Sequence, residues 1–278
     1  MTFLTLLHRS LGRPFRNRPR FRTRDLVVGR NVSFGHNVVF NCKTVRIGDG
    51  TVFQDDILIN AERFEVGDYG TFYSHCFVPG PGELRIGHNF WAGTGSIIDA
   101  MGGTFIGNNV CVAAHSQLWT HMMYGDVMYG CRFHSKKPLR IGDDVWLGAH
   151  SLVSPVTIGD RSLLLFGSLV TKDIPCDRSY AGVPAQDVTD KIGTQFEITT
   201  VSQRLEYLRH KLQNYDQAHP EDHVLEHVQI SVEPLSHPAT SGKLIFSVAD
   251  RTYTKRGTRL EHRLMRFLLP DAKFLPAN

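Results

Sequence analysis

The sequence predicts an all-β solenoid: a parallel β-helix of about seven three-sided coils, with an excursion loop and a small C-terminal α/β appendage. Two patterns predict it. An aliphatic residue followed by glycine recurs at Val28-Gly29, Ile47-Gly48, Val66-Gly67, Ile86-Gly87, Ile106-Gly107, Ile141-Gly142 and Ile158-Gly159, at spacings of 19, 19, 20, 20, 35 and 17 residues. Stepping by six from each aliphatic, from Val28, Phe34, Phe40 through to Ile158, Leu164, Val170, reaches only apolar residues, and only Ala92 is small. A period of six fits neither the 3.6-residue helix nor the two-residue alternation of a long strand. It fits a chain that turns a corner after each short strand and sends one side chain inward per face. Glycine after the inward aliphatic supplies either the positive φ or the close backbone approach that a tight corner needs.

Residues 1–25 form a basic arm ahead of the coils. Arg9, Arg13, Arg16, Arg18, Arg20, Arg22 and Arg24 fall within the first 24 residues with no acid among them, a charge of +7 against +4 for the whole chain. Such an arm is either a solvated or subunit-wrapping tail or an attachment to anionic lipid headgroups or an anionic glycan. Nucleic acid is not expected, because no zinc finger, helix-turn-helix signature or aromatic-basic segment accompanies the arginines.

Residues 26–190 hold the solenoid. Between Ile106 and Ile141 the spacing exceeds one period by about 17 residues. Leu118 keeps the inward register and Ile141 resumes it, so residues 119–138, WTHMMYGDVMYGCRFHSKKP, leave the wall as an excursion loop. A loop of that length on a rigid scaffold is a usual carrier of function. Residues 191–278 break the rhythm. Leu205, Leu208 and Leu212 predict a helix from about Phe196 to Tyr215; Val228 to Val232 and Leu244 to Val248 read as strands, Leu260 to Leu269 as an amphipathic helix, and His219 to His223 as a loop. Solenoid ends expose unpaired strand edges. Capping one of them is the simplest task for this appendage, beside acceptor binding and assembly.

Apolar residues are 41% of the chain and charged residues 21%, a balance that excludes both a disordered chain and a polytopic membrane protein. No window approaches 18 uninterrupted apolar residues, and Phe3 to Leu7 is too short for a secretory signal core. Cys42, Cys76, Cys111, Cys131 and Cys176 are odd in number, dispersed and without a CxxC pair. That usage predicts reduced, buried thiols and a cytoplasmic chain, the arm allowing a peripheral place on the inner face of the membrane.

Five segments occur in order: IGHNFWAG (Ile86 to Gly93), Thr120-His121 opening the excursion, IGDDVWLGAHSLVSPVTIGD (Ile141 to Asp160), GSLVTKDIP (Gly167 to Pro175) and AGVPA (Ala181 to Ala185). With them the chain, over about residues 64–190, resembles the hexapeptide-repeat acyltransferases, specifically the sugar and xenobiotic O-acetyltransferases that include maltose and galactoside acetyltransferases. The resemblance implies left-handed winding, a homotrimer with sites between neighbouring solenoids, acetyl-CoA as acyl donor, a saccharide acceptor and no metal. It implies that His121 removes the proton from the acceptor hydroxyl, work that suits an imidazole titrating near working pH. Backbone amides near Gly148-Ala149 would hold the oxyanion, and Trp146 would shape the acyl and acceptor pocket. The pantetheine arm would run past Ala149, Phe166 and Gly167, with Thr171 and Lys172 toward the nucleotide.

Departures from the family pattern refine this. Phe166 replaces a small residue, and Gln186-Asp187 follow AGVPA where Lys or Arg is frequent, so Lys191 or another subunit is the alternative phosphate contact. Gly93 stands where galactoside enzymes carry a sugar-binding asparagine, and the excursion lacks their glutamate. Asp99 and Asp126 are the nearest acids to orient His121 or bind a hydroxyl; His134 is a further acceptor candidate, while His115 and His150 read as wall or pocket residues. These losses argue against simple maltosides and galactosides as substrates; the C-terminal piece and the basic arm point instead toward a larger, anionic or membrane-linked glycan.

The expected activity is therefore acetyl-CoA-dependent O-acetylation of a saccharide hydroxyl, in a bacterial-type cell-surface glycan, by direct transfer. N-acetylation of a nucleotide-linked amino sugar is the alternative. A γ-class carbonic anhydrase with zinc on His75, His115 and His121 would leave GSLVTKDIP and AGVPA unexplained. A non-catalytic solenoid is the remaining reading.

Overall fold

The computed structural model describes residues 18–235 and 242–277, so Arg9, Arg13 and Arg16 of the basic arm lie outside the described residues. The chain divides into two compact units, Met1–Phe196 and Glu197–Asn278. Among the described residues no helix is long and apolar enough to cross a membrane.

The first unit is built from the six-residue columns. Val28 pairs in parallel with Ile47, Ile47 with Val66, Val66 with Ile86, Ile86 with Ile106, Ile106 with Ile141 and Ile141 with Ile158. A second column runs Phe34, Phe53, Phe72, Ala92, Val112, Leu147, Leu164. A third joins Phe40, Ile59 and Val78, then Ile98, Leu118, Val153 and Val170. Every one of these side chains is buried except Val28, which is half-buried. Each full burial of this kind contributes about 1.5–3 kcal/mol. Phe34, Phe53 and Phe72 stack face to face with centroids 5.3 and 4.8 Å apart, close to the spacing of hydrogen-bonded strands.

The corners show which of the two uses of glycine applies. None of the seven glycines after the inward aliphatics has a positive φ. A Cβ on Gly67 would lie 2.8 Å from the carbonyl carbon of Gly87, and one on Gly107 2.7 Å from that of Gly142. Close approach of successive coils is the requirement. Left-handed backbone occurs two residues further on at the same corners, at Asn31, Gly50, Tyr69, Asn89, Asn109, Asp144 and Arg161, and along another edge at Asn37, Asp56, His75, Gly95, His115, His150 and Gly167. The residue after each corner glycine caps the preceding coil: Asp68 accepts from Asp49 N, Asn108 from His88 N, and Asp160 from Asp143 N, at 2.7, 2.9 and 2.7 Å. Backbone donors that leave the ladder at the corner are thereby satisfied.

The outward residues make the faces unequal. Val39, Leu58, Phe77, Ile97, Gln117, Leu152 and Leu169 form one outward column. It is apolar except at Gln117, and Leu58 and Leu152 are 36% and 42% exposed. The next face carries Arg46, Glu65 and Arg85 in register, with ion pairs of 3.7 and 3.8 Å to the central Glu65.

Several elements differ from expectation. The excursion is a hairpin at its root, where His121–Met123 pairs antiparallel with His134–Lys136. Arg20–Arg22 pairs with Val39–Asn41, so the basic segment itself enters the ladder. Gln186–Asp187 folds antiparallel onto Ser179–Ala181 beyond the last coil, covering a strand edge. The expectation of buried thiols holds for Cys42 and Cys76; Cys111 and Cys131 are only half-buried, and Cys176 is exposed at a corner turn just outside the inward register.

In the second unit the helix begins at Val201 and ends at Ala218, later than expected, because Thr200 and Gln203 form a reciprocal capping box that fixes its start. Leu208, Leu212 and Tyr215 are its buried face. A four-stranded sheet orders Val228–Ser231, Leu244–Ser247, Thr252–Tyr253 and Leu275–Pro276. The helix Arg259–Leu268 is capped by Thr258 and buries Leu264, Met265 and Leu268. His219 to His223 contains a short 3-10 turn, Pro220–Asp222.

The two kinds of glycine predict different tolerance. At Gly167 φ is +71° and nothing lies within 4 Å of an added Cβ; asparagine tolerates that conformation. Gly167→Asn is expected to cost less than about 1 kcal/mol, and Gly67→Asn to cost at least ~1–3 kcal/mol through overpacking. Urea midpoints of the two variants measure the difference; equal midpoints contradict it.

Candidate functional site

Leu118 is the last inward residue before the hairpin, and Trp119, Thr120 and His121 leave it at the edge where Asp99 leaves Ile98 one coil earlier. Asp99 is fully buried. Its Oδ2 accepts from Thr120 N at 2.8 Å, Thr120 Oγ1 at 2.5 Å and His121 Nδ1 at 2.6 Å, and its Oδ1 accepts from Met101 N at 3.0 Å. Burial by itself would raise the carboxyl pKa. The hydrogen bonds from the Thr120 hydroxyl, Met101 N, His121 and Thr120 N outweigh it and hold the group below the ordinary carboxylate value. An ionised carboxylate only accepts, so His121 Nδ1 carries the proton of this contact. The side chain of His121 is 24% exposed, and the Trp119 ring meets it edge-on with centroids 6.0 Å apart.

Of the two acids considered for His121, Asp99 is the one in contact. Asp126 accepts from Met128 N and Tyr129 N in its own turn, at 2.9 and 3.3 Å. His134 lies across the hairpin from Met123 and is exposed.

Trp146, Gly148, Ala149, Phe166 and Gly167 gather at another edge, where the face of Leu147 and Leu164 ends. Gly167 N donates to Ala149 O at 2.9 Å. The N–H groups of Ala149 and Phe166 donate to no acceptor among the described residues, and the Phe166 ring stands 71% exposed. His115 and His150 stack along this edge with centroids 5.3 Å apart. Because Val170 stacks on Val153 and Val153 on Leu118, Thr171 and Lys172 come out at the His121 edge instead. Lys191 sits exposed in the short helix Thr189–Ile192.

Within one chain the free amides and the imidazole are separated by one six-residue face, roughly 20 Å of extended backbone. That face is the apolar one. The same division splits the histidines considered for zinc, His75 and His115 lying along the Ala149 edge and His121 on the next. Among the described residues no group of three His, Cys, Asp or Glu could hold a metal.

The sequence reading missed Thr120 as a double donor to Asp99, Trp119 as the indole against His121, and the apolar outward column. The last was legible: it is the residue before each inward position of one face.

The ionisation of Asp99 predicts a pH dependence. Its folded pKa is depressed, so its stabilisation is complete above the unfolded value of about 3.9 and is lost as pH falls through the folded value. Urea midpoints of the native protein and Asp99→Asn should therefore differ at pH 7 and approach one another below about pH 4. A difference that stays constant down to pH 3 would rule out this contribution.

Residues 138–172 match the family model described as the hexapeptide repeat of succinyl-transferase, a repeat that implies left-handed winding of the parallel ladder. The chain is 38% identical over 112 residues to the galactoside O-acetyltransferase of Escherichia coli (strain K12), covering 39% of this chain and 54% of that protein. It thus spans about half the length of that relative. Among solved structures it is similar to a maltose O-acetyltransferase from Clostridium difficile 630, at 26% identity and a TM-score of 0.34, covering 56% of this chain and 68% of that one. It is also similar to a hexapeptide-repeat acetyltransferase of Vibrio cholerae O1 biovar eltor solved with acetyl coenzyme A, at 21% identity and a TM-score of 0.32, covering 54% and 70%. Over residues 138–172 the chain thus carries the hexapeptide repeat, and over 112 residues it is a sequence relative of a galactoside O-acetyltransferase.

Proposed function

We propose that the chain is an acetyl-CoA-dependent O-acetyltransferase of a saccharide hydroxyl, with residues 1–25 as a basic arm, 26–190 as a catalytic left-handed β-helix of about seven coils, and 191–278 as an appendage. The observation that carries this reading is the 2.6 Å contact between His121 Nδ1 and buried Asp99. It fixes the tautomer in which Nε2 can take a proton. The acceptor hydroxyl gives its proton to Nε2 as its oxygen attacks the thioester carbonyl; the tetrahedral oxyanion is held by backbone N–H near Ala149. The C–S bond then breaks, the sulfur takes the proton back from the imidazolium, and the acetyl ester leaves. No covalent acyl-enzyme is formed.

This chemistry needs two edges that a single chain keeps apart. A homotrimer unites them. If the apolar face of each of three solenoids turns toward a common threefold axis, the Ala149 edge of one chain closes against the His121 edge of the next. The exposed Leu58, Phe77 and Leu152 are then covered, as an apolar stripe of this length requires. Thr171 and Lys172 of the second chain reach the same cleft, where Lys172 supplies a point charge for the phosphates of the donor.

His121→Ala should lower kcat by ~10²–10⁴-fold, the usual worth of a positioned general base, with acetyl-CoA binding retained; release of free thiol from acetyl-CoA in the presence of a glycan acceptor measures it. Near-native turnover would reject the assignment. A second outcome tests the shared cleft. Ala149→Trp blocks the donor edge and His121→Ala removes the base, so refolding the two inactive variants together should restore activity. Mixtures that stay inactive, in assemblies shown by sedimentation to be trimeric, would confine the site to one chain.

A further inference from the structure

The edge that carries His121 continues along the earlier coils as a groove of about 670 Å³, walled by Arg22, Arg24, Asn41, Lys43, Asn60 and Glu62. Asn41 Nδ2 donates to Asn60 Oδ1 at 2.7 Å. Asn41 Oδ1 is buried and has no hydrogen-bond partner. Lys43 and Glu62 pair at 2.6 Å, whereas Arg22 and Arg24 are exposed and make no ion pair among the described residues. Three cations face one carboxylate.

The groove is aligned with the base. Arg22 stacks on Asn41 and Asn41 on Asn60. Ala100 N donates to Pro79 O, and Asp99 N to Leu118 O. Residues 22–24, 41–43, 60–62, 79–82, 99–102 and 119–121 are thus successive layers of one edge. At about 4.8 Å per layer, Asn60 lies about 14 Å, and Asn41 about 19 Å, from the layer of His121. The layers between Asn60 and His121 carry Pro79, Gly80, Pro81 and Gly82, then Asp99, Ala100, Met101 and Gly102, with Met101 half-buried. A Cβ on Gly80 or Gly82 would run into the backbone of Asn60 or Ala100, so neither layer position takes a side chain.

We propose that the groove is a second acceptor subsite, which holds a carboxylate-bearing stretch of the saccharide chain whose hydroxyl meets His121. The proposal rests on the acetyltransferase reading and narrows its substrate to an anionic oligosaccharide or polymer that extends several sugar units beyond the reacting hydroxyl. Guanidinium forks suit sugar carboxylates. The amide groups of the asparagine ladder suit hydroxyls. An anionic bilayer would satisfy the arginines but has no use for a narrow polar ladder beneath them.

The test is direct binding to the full chain by calorimetry, without acetyl-CoA. The probes are oligogalacturonates of one to six units, maltohexaose, and phosphatidylglycerol vesicles. The hexamer is expected to bind at least about tenfold more tightly than the dimer and than maltohexaose, and Arg22→Gln and Arg24→Gln each to weaken it about tenfold, as the loss of a charge-assisted bond does. Arg209→Gln, exposed in the second unit, should leave it unchanged. Equal affinity for dimer and hexamer, indifference to both groove substitutions, or binding of vesicles without binding of oligosaccharide overturns the proposal. Intact length-dependent binding with no acetyl transfer would sink the reading of the reaction and leave the subsite; transfer without length-dependent binding would sink the subsite alone.

Discussion

Inward side chains stacked at the separation of hydrogen-bonded strands are the constraint on which this molecule depends. The backbone ladder sets a layer every 4.8 Å or so, and the stacked phenylalanines, 4.8–5.3 Å apart, fill that layer without gap. Six residues per face follow, because each short strand can bury one such side chain before the chain must turn. A slip of one residue would send Phe53 outward and Gln54 inward, so the register is held by the whole column and not by any single pair. The corner glycines belong to the same constraint: coils stacked this closely leave no room for Cβ where backbones meet.

A wall held in register makes the site at its edge rigid. Asp99 and Thr120 belong to adjacent coils of one edge, and the coils fix their separation before any ligand arrives. The four hydrogen bonds to the Asp99 carboxylate come from the wall and from His121 itself, so the imidazole inherits the order of the solenoid although it opens a long hairpin. Preorganisation of this sort is what a general base needs to be useful.

The inside of the solenoid was legible because it repeats. Stepping by six found the residues that bury, and the surplus between Ile106 and Ile141 found the hairpin. Register could also have chosen between the two acids: Asp99 follows Ile98 as Trp119 follows Leu118, whereas Asp126 lies in the excursion and has no layer. The same step places Thr171 and Lys172 at the His121 edge, one face away from Ala149. What the period could not carry was anything set by non-repeating chemistry. The start of the helix at Val201 depends on a local pair, Thr200 and Gln203, and the exposure of Cys176 on its place at a turn. Handedness has no signature in spacing at all, since a chain of either hand would bury the same residues.

The repeat therefore encodes the interior, and the exterior is free to differ from face to face. On one face Arg46, Glu65 and Arg85 alternate in sign down the column, at separations of 3.7 and 3.8 Å. Exposed pairs of this kind add little stability, but alternating charge keeps that face hydrated. The neighbouring face, from Leu58 to Leu169, has no such ladder. Nothing in the inward columns requires this asymmetry, because Val66 and Ile59 bury equally well whichever residue precedes them. An apolar column sustained over this many coils, in a wall where polar residues would serve as well, reflects a demand from outside the coil, and its boundaries coincide with the two edges that carry the free amides and the imidazole. In the proposed acetyl transfer, the two edges and the surface that lies between them are parts of one arrangement.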